Sequence, residues 1–259
     1  YPELILPINE IRKQEQKKVN RLVHNLTSIN AHNIQEIYDL IPQDILVQNW
    51  KKQLKYIEDN LKENPKKAAL MFIRIAKHNT HMKSEFSIYK KIERDDSVKL
   101  DNKEHNLRNV LLNTLHTFFS DFKENNVFVD VKEFVYKLEF DYETIQVALY
   151  HLLENTTKYT LPNSSVEISA YDNNTFVYLK FQMTSIYIEP GERKSVLKEG
   201  VSSNLAIKLG KQGDGIGMWR IKQMMELNEG EFRCEFGEQK TNRVGIKFAD
   251  NVFTLRFRK

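Results

Sequence analysis

The spacing of hydrophobic residues divides this chain into two parts. Up to about residue 89, apolar side chains recur at steps of three and four, the spacing of helices that bury one face. From about Val98 onward, short runs of alternating apolar and polar residues, typical of strands, lie between shorter helices. We therefore predict a linker at 1–10, a helical domain at 11–97 and a mixed domain at 98–259.

Two heptad repeats run through the helical part. The first helix is predicted from about Ile11 to about Ile41, since Pro42 cannot continue it, and the second follows the break at Asn64-Pro65. Residues 43–64 between them are predicted to form a helical extension. Two antiparallel heptad helices make half of a four-helix bundle, so we predict a homodimer that completes it. The heptad positions are Val23, Leu26, Asn30, Asn33, Ile37 and Leu40, then Ala68, Phe72, Ile75, Asn79, Met82, Phe86 and Tyr89.

The mixed part combines strands and helices without regular alternation. Two alternating runs flank Asp172-Asn-Asn174, which is a signal for a hairpin turn. An irregular order of this kind is typical of an α+β sandwich, in which helices pack on one face of a sheet. The strand patterns cover 127–131, 134–140, 166–170, 176–181, 231–236, 243–248 and 252–257.

Composition excludes several function classes. The formal charge of +4 is small for 259 residues, and lysines alternate with glutamates, so no nucleic-acid surface is expected. The one cysteine, Cys234, cannot form an internal disulfide, which fits a reducing compartment. No apolar run reaches the length of a membrane span, so we expect no signal peptide, a cytoplasmic location and no membrane contact by this fragment. Because residue 1 is Tyr1, we expect a fragment or a processed chain whose sensor or anchor would lie upstream.

The decapeptide from His151 to Thr160 carries the first candidate chemistry. Its apolar residues predict a helix with His151, Asn155 and Lys158 along one polar edge. Asn155 offers a neutral oxygen suited to magnesium, which keeps most of its waters and takes other ligands from phosphates. Lys158, one turn further on, could meet those phosphates as a point charge. The alternative is an amphipathic helix with a plain polar edge.

A glycine-rich stretch downstream is the second candidate for a functional site. Gly213, Gly215 and Gly217 occupy alternate positions just before a helical repeat that begins near Met218. Glycines let the backbone approach a ligand closely and leave the amides of the following helix available to phosphate. The spacing matches neither the dinucleotide nor the Walker pattern. The alternative is a glycine turn that only starts a helix.

Together the two stretches resemble the ATP-binding domain of the sensor histidine kinases, within the wider GHKL family of ATPases. The resemblance follows the order of elements from His24 to Arg258 and implies an α/β sandwich of the GHKL, or Bergerat, type that binds ATP and Mg²⁺. His151 stands where the family has Asn or His and the related ATPases have a catalytic Glu. The remaining roles that the resemblance implies are magnesium binding for Asn155, phosphate contact for Lys158, a pocket wall for Tyr159, and a second glycine box for Gly213, Gly215 and Gly217 with Met218.

His24 is the candidate phosphoacceptor. Residues Arg21-Leu-Val-His24-Asn25-Leu26 resemble the phosphoacceptor box of the histidine kinases, and His24 faces outward from the apolar stripe. Neutral histidine is a nucleophile near neutral pH without loss of a proton. The resemblance implies transfer of a phosphoryl group from ATP to His24, then to an aspartate of a response-regulator receiver domain. The alternative is an ordinary exposed histidine of the bundle.

Two of the chain's departures from the family affect the base pocket and the residue after the phosphoacceptor. The carboxylate that accepts the adenine amino group is replaced by Met183 or, with a register slip, by Thr184 or Ser185; a hydroxyl of Thr184 or Ser185 could substitute for it. Losing such a hydrogen bond costs about 1.5–3 kcal/mol. Asn25 stands where the family places Asp or Glu. These departures favour the alternative of a catalytically impaired dimeric scaffold or nucleotide sensor. A clamp-type ATPase is a third alternative, disfavoured because His151 replaces the glutamate that would activate water.

Overall fold

The computed structural model describes residues 2–93, 100–210 and 215–259. The chain divides into two compact units, one within Tyr1–Asp96 and the other within Ser97–Lys259. Within the described residues, no helix combines the length and the apolar character needed to cross a membrane.

The first unit is a helical hairpin. Helix α1 spans Pro2–Leu40, α2 Gln43–Leu46, α3 Trp50–Glu63 and α4 Pro65–Ile88, and a π-helical turn follows at Tyr89–Glu93. The pairs Asn25–Glu85, Asn33–His78 and Glu36–Arg74 show that α1 and α4 run antiparallel, because the partner number falls as the α1 number rises.

The start of α1 differs from the sequence expectation. The prolines near the N-terminus favour a linker at 1–10, whereas the helix already begins at Pro2. Proline at the first helical position is well tolerated, because its missing N–H would have no intrahelical partner there. Pro2 is therefore compatible with a helix that begins at this position, whereas Pro7 lies within the second turn of α1.

The extension between the two long helices closes the tip of the hairpin. Asn49 caps α3 by accepting a hydrogen bond from the backbone N–H of Lys52 at 3.1 Å. Asn60 of α3 donates to the carbonyl of Leu40 at 2.9 Å, which satisfies a carbonyl at the end of α1. A small apolar cluster lies beneath these contacts, formed by Leu40, Ile41, Ala68 and Met71 with Ile45, Tyr56, Ile57 and Leu61 packed against it.

The second unit contains a five-stranded sheet in the order β2-β4-β5-β7-β6 and a separate pair β1-β3. Strand β2 pairs with β4 in parallel, and the other pairs are antiparallel. The strands are β1 Asn102–Asn106, β2 Phe128–Val131, β3 Lys137–Asp141, β4 Ser165–Asp172, β5 Phe176–Ile186, β6 Glu231–Arg243 and β7 Ile246–Arg258. The helices are α5 Leu107–Leu115, α6 Phe119–Glu124, α7 Tyr142–Tyr159, α8 Asn204–Lys208 and α9 Gly217–Leu227.

The core of this unit lies between the helices and one face of the sheet. Along β5, Val177, Leu179 and Phe181 are fully buried while the residues between them are partly exposed, as in a strand with one covered face. Helix α7 buries Ile145 and Leu149 toward the same core. The predicted fold, a helical hairpin followed by an α/β sandwich, is thereby confirmed.

The C-terminal strands are longer than expected. Three patterns at 231–236, 243–248 and 252–257 form two strands, β6 and β7, joined at Val244 and Gly245, both with positive φ. The register shifts between Phe236 and Gln239, where a Cβ on Gly237 would lie 2.3 Å from the carbonyl oxygen of Asp250. The predicted strand at 243–248 is therefore wrong, because it spans the turn between β6 and β7. A β-bulge moves the alternation of side chains by one position, which explains why the pattern of β6 ended at Phe236 in the sequence.

Candidate active site

Helix α7 begins after the N-cap residue Asp141, and both carboxylate oxygens of Asp141 accept hydrogen bonds. Asp141 is 1% exposed, and its Oδ1 accepts from the backbone N–H of Thr144 at 2.9 Å while its Oδ2 accepts from the N–H of Asp101 at 2.9 Å. The cap fixes where the helix starts and therefore which residues reach its far end. His151 is buried, whereas Asn155, Lys158 and Tyr159 are half-buried at that end.

The contact between Asn155 and Gly217 brings the two sequence motifs together. A Cβ on Gly217, at the start of α9, would lie 3.4 Å from Nδ2 and 3.6 Å from Oδ1 of Asn155. The amide of Asn155 therefore lies against bare backbone at the N-terminus of an 11-residue helix. Helix N-termini favour anions, so phosphate and a cation ligand would meet at this point.

Gly215 holds the glycine loop against a neighbouring segment. Its φ is +69°, and a Cβ there would lie 2.6 Å from the carbonyl carbon of Gly200 and 2.6 Å from the nitrogen of Val201. The backbone N–H of Val201 donates to the carbonyl of Gly215 at 3.1 Å. Only glycine satisfies both the positive φ and this close approach. Gly213, also predicted to belong to the loop, lies outside the described residues.

Gly215→Ala should reduce nucleotide affinity more than Gly210→Ala does. Gly210 has a similar φ of +63°, and no atom of the described residues lies within 4 Å of an added Cβ, so it matches the backbone strain without the contact. The strain alone costs about 1–2 kcal/mol, and only Gly215→Ala must also displace residues 200–201. We expect at least a roughly tenfold affinity difference between the variants by calorimetry. Equal affinities would show that the close approach has no role in binding.

A buried chain of polar groups lies behind Asn155. Nη1 of Arg220 is 3.5 Å from Nε2 of His151, and both side chains are 3% exposed. A guanidinium can only donate, so Nε2 of His151 accepts and the neutral ring carries its proton on Nδ1. That nitrogen faces Oε2 of Glu154 at 3.5 Å. The ring of His151 thus lies between Arg220 and the carboxylate of Glu154, the residue before Asn155.

The sequence analysis did not identify Arg220 or Glu154. The available signal was a charged residue, Arg220, among the buried apolar positions Ile221, Met224 and Met225 of α9. A fully buried arginine requires compensating partners, which makes such a position a candidate for a polar network.

Lys158 and Tyr159 form the rim of the site. Nζ of Lys158 lies 5.5 Å from the ring centroid of Tyr159, within the range of a cation–π contact. Burial raises the pKa of Tyr159 to about 12, and the charge of Glu154 acts in the same direction. The phenol therefore stays neutral at physiological pH. Tyr159 and Met218 both pack against one apolar cluster that includes Leu161 and Ile186, so the structure brings these two predicted residues together.

At the end of β5, the three candidates for the missing carboxylate are separated by the strand's alternation. Met183 and Ser185 face the core, at 5% and 3% exposure. Thr184 faces the other way, and its hydroxyl donates to Oδ1 of Asp250 at 2.6 Å. Of the two hydroxyls that could substitute for the carboxylate, only that of Ser185 lies on the covered face.

Ser185 is paired with a residue that the sequence analysis missed. Oγ of Ser185 accepts from Nδ2 of Asn251 at 2.8 Å. Asn251 is 1% exposed, also donates to the carbonyl of Ile186 at 3.2 Å and accepts from the N–H of Gly237 at 3.1 Å. Asn251 therefore links β5 to the bulge in β6.

His24 lies on the first unit, exposed on α1. It lines a groove along one side of the helix together with Asn20, Val23, Thr27, Ser28 and Ala31. Its Nδ1 is 3.5 Å from Oδ1 of Asn25, whose Nδ2 donates to Oε2 of Glu85 at 2.9 Å. His24 and Asn155 thus belong to different units.

A magnesium ion at this site would depend on few protein ligands. Among the described residues, no group of three or more His, Cys, Asp or Glu side chains could hold a metal. Asn155 supplies an amide oxygen, a suitable ligand for a hard cation that takes its other ligands from water and phosphate. The residues present fit magnesium carried by a nucleotide better than a metal held by protein alone.

Comparison of the sequence with known proteins finds a sensor protein among its relatives. No family model matches the chain. A 104-residue stretch is 26% identical to the sensor protein SrrB of Staphylococcus aureus, covering 39% of this chain and 18% of that protein. The chain thus matches about a fifth of the length of this curated relative.

Solved structures of sensor histidine kinases match a larger share of the chain than this sequence relative does. The mycobacterial sensor histidine kinase MprB matches with a TM-score of 0.51 at 16% identity, over 61% of this chain and 97% of that one. The chain has the fold of the sensor histidine kinases. The catalytic domain of histidine kinase ThkA matches with a TM-score of 0.50 at 18% identity, over 62% and 97% of the two chains. Full-length ShkA, in complex with AMPPNP, matches with a TM-score of 0.54 at 12% identity, over 93% and 45%. The resemblance inferred from the sequence is confirmed at the level of the fold.

Proposed function

We propose that this chain is the catalytic core of a sensor histidine kinase. It binds Mg²⁺ and ATP, phosphorylates His24 and passes the phosphoryl group to an aspartate of a response-regulator receiver domain. The observation that carries this proposal is the contact between Asn155 and Gly217, which joins a cation ligand to a helix N-terminus. The histidine kinase fold supports it.

The residues of the second unit act by binding and orientation. Asn155 holds magnesium through its amide oxygen, Lys158 neutralises phosphate charge, and the backbone of Gly215 and Gly217 lets the triphosphate approach. Magnesium, when bound, offsets the charge on the phosphates, the dominant effect in phosphoryl transfer. His151 takes part by holding Glu154 and Arg220 in place beside Asn155. Tyr159, Met218 and Ser185 surround the base.

The residue of the first unit that reacts is His24. A lone pair on its imidazole forms a bond to the γ-phosphorus, and the bond from that phosphorus to the bridging oxygen breaks, so ADP leaves with the electron pair. A carboxylate oxygen of the receiver domain then attacks the same phosphorus and displaces the imidazole. Exposure of His24 on α1 keeps it accessible to both reaction partners.

The proposed assembly is a homodimer. Several large apolar side chains of the hairpin helices remain exposed in the single chain, and a second hairpin would cover them in a four-helix bundle. They are Val23, Ile34 and Tyr38 of α1 and Phe72, Ile73 and Phe86 of α4.

Incubation of the chain with magnesium and γ-labelled ATP tests the proposal. We expect protein-bound label that is lost in acid and retained in base, the behaviour of a phosphoramidate. A second candidate function, a scaffold or nucleotide sensor without transfer, is favoured by the loss of the base-reading carboxylate at Met183 and Ser185. Nucleotide binding without any label would support that candidate and contradict phosphotransfer.

Base selectivity should be weak, and Met183→Asp should restore it. With Met183 in place of the carboxylate, the adenine amino group loses a charged acceptor at this position, and we expect ATP and GTP to bind within about tenfold of each other. In Met183→Asp the new carboxylate can accept from Thr160, whose hydroxyl now lies 3.4 Å from the sulfur of Met183. Selectivity for ATP should rise by about tenfold or more.

Met183→Leu is the matched control, because it keeps the apolar volume and adds no acceptor. Competition of ATP and of GTP against a fluorescent nucleotide measures the ratio of the two affinities in the parent chain and in each variant. Strong selectivity for ATP in the parent chain, unchanged in Met183→Asp, would contradict this assignment of the base pocket.

A further inference from the structure

A buried carboxylate lies next to the proposed phosphoacceptor and has no role in the nucleotide site. Glu85 on α4 is 3% exposed, and leaving an ionised carboxylate buried requires compensating partners. Among its contacts, Oε2 accepts from Nδ2 of Asn25 at 2.9 Å, and Oε1 lies 3.6 Å from Nε2 of His81. Asn25 in turn directly follows His24.

The contact with Glu85 determines how the side chain of Asn25 is oriented. Nδ2 of Asn25 donates to Oε2 of Glu85, so the amide nitrogen of Asn25 faces Glu85. The amide oxygen of Asn25 therefore faces His24, where it lies 3.5 Å from Nδ1.

The orientation of Asn25 selects one form of the His24 ring. An amide oxygen only accepts, so the nitrogen that faces it carries the proton when the ring is neutral. That nitrogen is Nδ1, and the lone pair is left on Nε2, the nitrogen further from the helix backbone. The partner of one ring nitrogen decides which of the two is protonated.

We propose that Glu85 is a positioning residue for phosphoryl transfer, acting through Asn25 to hold His24 as the Nδ1–H form with its nucleophilic lone pair on Nε2. This inference rests on the proposed function. In the transfer step the bond from Nε2 to phosphorus forms, the bond from phosphorus to the bridging oxygen of ADP breaks, and the proton stays on Nδ1. The ring becomes positively charged, and the negative charge of Glu85, relayed by the polarised amide, stabilises it.

The arrangement accounts for a neutral Asn25 next to the phosphoacceptor. A carboxylate is supplied from the other helix of the hairpin, 60 residues away, rather than from the adjacent position. The charge and the hydrogen-bond acceptor, which one acidic side chain would combine, are divided between Glu85 and Asn25.

Nitrogen-15 NMR of the His24 ring tests the tautomer without any nucleotide. In the parent chain we expect the Nδ1–H form to dominate the neutral ring. Glu85→Gln should shift the ring toward a mixture, because a glutamine amide can face Asn25 with either its oxygen or its nitrogen. The double variant Asn25→Asp with Glu85→Gln should restore the Nδ1–H form. Its new carboxylate can only accept, so it takes one hydrogen bond from Nδ1 of His24 and another from the glutamine amide.

The rate of labelling tests the consequence for transfer. At saturating ATP, Glu85→Gln should lower the initial rate by about tenfold to a hundredfold with an unchanged KM for ATP, the loss found when the hydrogen-bond partner that orients a metal ligand is removed. The double variant should recover most of that loss. Glu36→Gln is the matched control: Glu36 pairs with Arg74 at 3.3 Å on the same two helices and should leave both readouts unchanged.

The two readouts separate this inference from the proposed function. A dominant Nε2–H form in the parent chain, or a double variant no better than folded Glu85→Gln in either readout, would overturn the role of Glu85. A chain that takes no label but has the expected tautomers would contradict the proposed kinase activity and leave the positioning by Glu85 supported.

Discussion

His24→Gln should abolish acid-labile labelling from ATP. Glutamine keeps a polar side chain of similar reach, but its amide nitrogen has no available lone pair to attack phosphorus. We expect the initial rate to fall by at least about a thousandfold, the range seen when the nucleophile of a catalysed transfer is removed. Because His24 is exposed, the free energy of unfolding should change by no more than about 0.5 kcal/mol. Labelling of both proteins under the same magnesium and ATP concentrations measures the difference.

His32→Gln is the control for this experiment. His32 is also exposed on α1, and its ring lies 5.7 Å from that of His78. It is therefore a histidine of the same helix with a similar environment but without the contact to Asn25. Its labelling should equal that of the parent chain. Equal labelling of the parent and His24→Gln would show that another residue accepts the phosphoryl group.

Local patterns predicted most of the helices and strands and placed the candidate residues on them. The apolar spacing around His151 predicted α7, and the repeat predicted to begin near Met218 is α9, which begins at Gly217. A helix places residues three and four positions apart on one side, so the shared edge of Asn155 and Lys158 follows from sequence alone. The meeting of Asn155 with Gly217 required the fold, which the resemblance supplied.

Contacts between distant residues could not be predicted from one sequence. Asn251 donates to Ser185 across 66 residues, and Arg220 approaches His151 across 69. These pairings are set by strand register and helix packing, and neither leaves a periodic signal in the chain. The carboxylate of Glu85 lies on a heptad helix, where a charged residue is ordinarily interpreted as a solvated position. Its burial depends on α1 packing against α4 at that level.

Asn155→Ala should weaken the binding of magnesium-bound ATP while leaving the binding of metal-free ATP nearly unchanged. The amide of Asn155 is proposed to act through the metal, so its loss removes one ligand and no direct contact with the nucleotide. A lost interaction with a charged group corresponds to about 1.5–3 kcal/mol, or roughly a tenfold to hundredfold lower affinity. Calorimetric titration of ATP in excess magnesium and in excess chelator measures both affinities, and labelling should fall at least as far as the affinity in magnesium does.

Asn113→Ala separates this effect from the general consequences of removing an amide. Asn113 is exposed on α5 of the same unit, so its replacement by alanine should leave both affinities unchanged. The ratio of the two affinities is the decisive quantity, because a folding defect in Asn155→Ala would lower both values together. A metal ligand changes only the value in magnesium. An equal loss with and without the metal would mean that Asn155 contacts the nucleotide or supports Gly217, and the cation site would have to be assigned elsewhere.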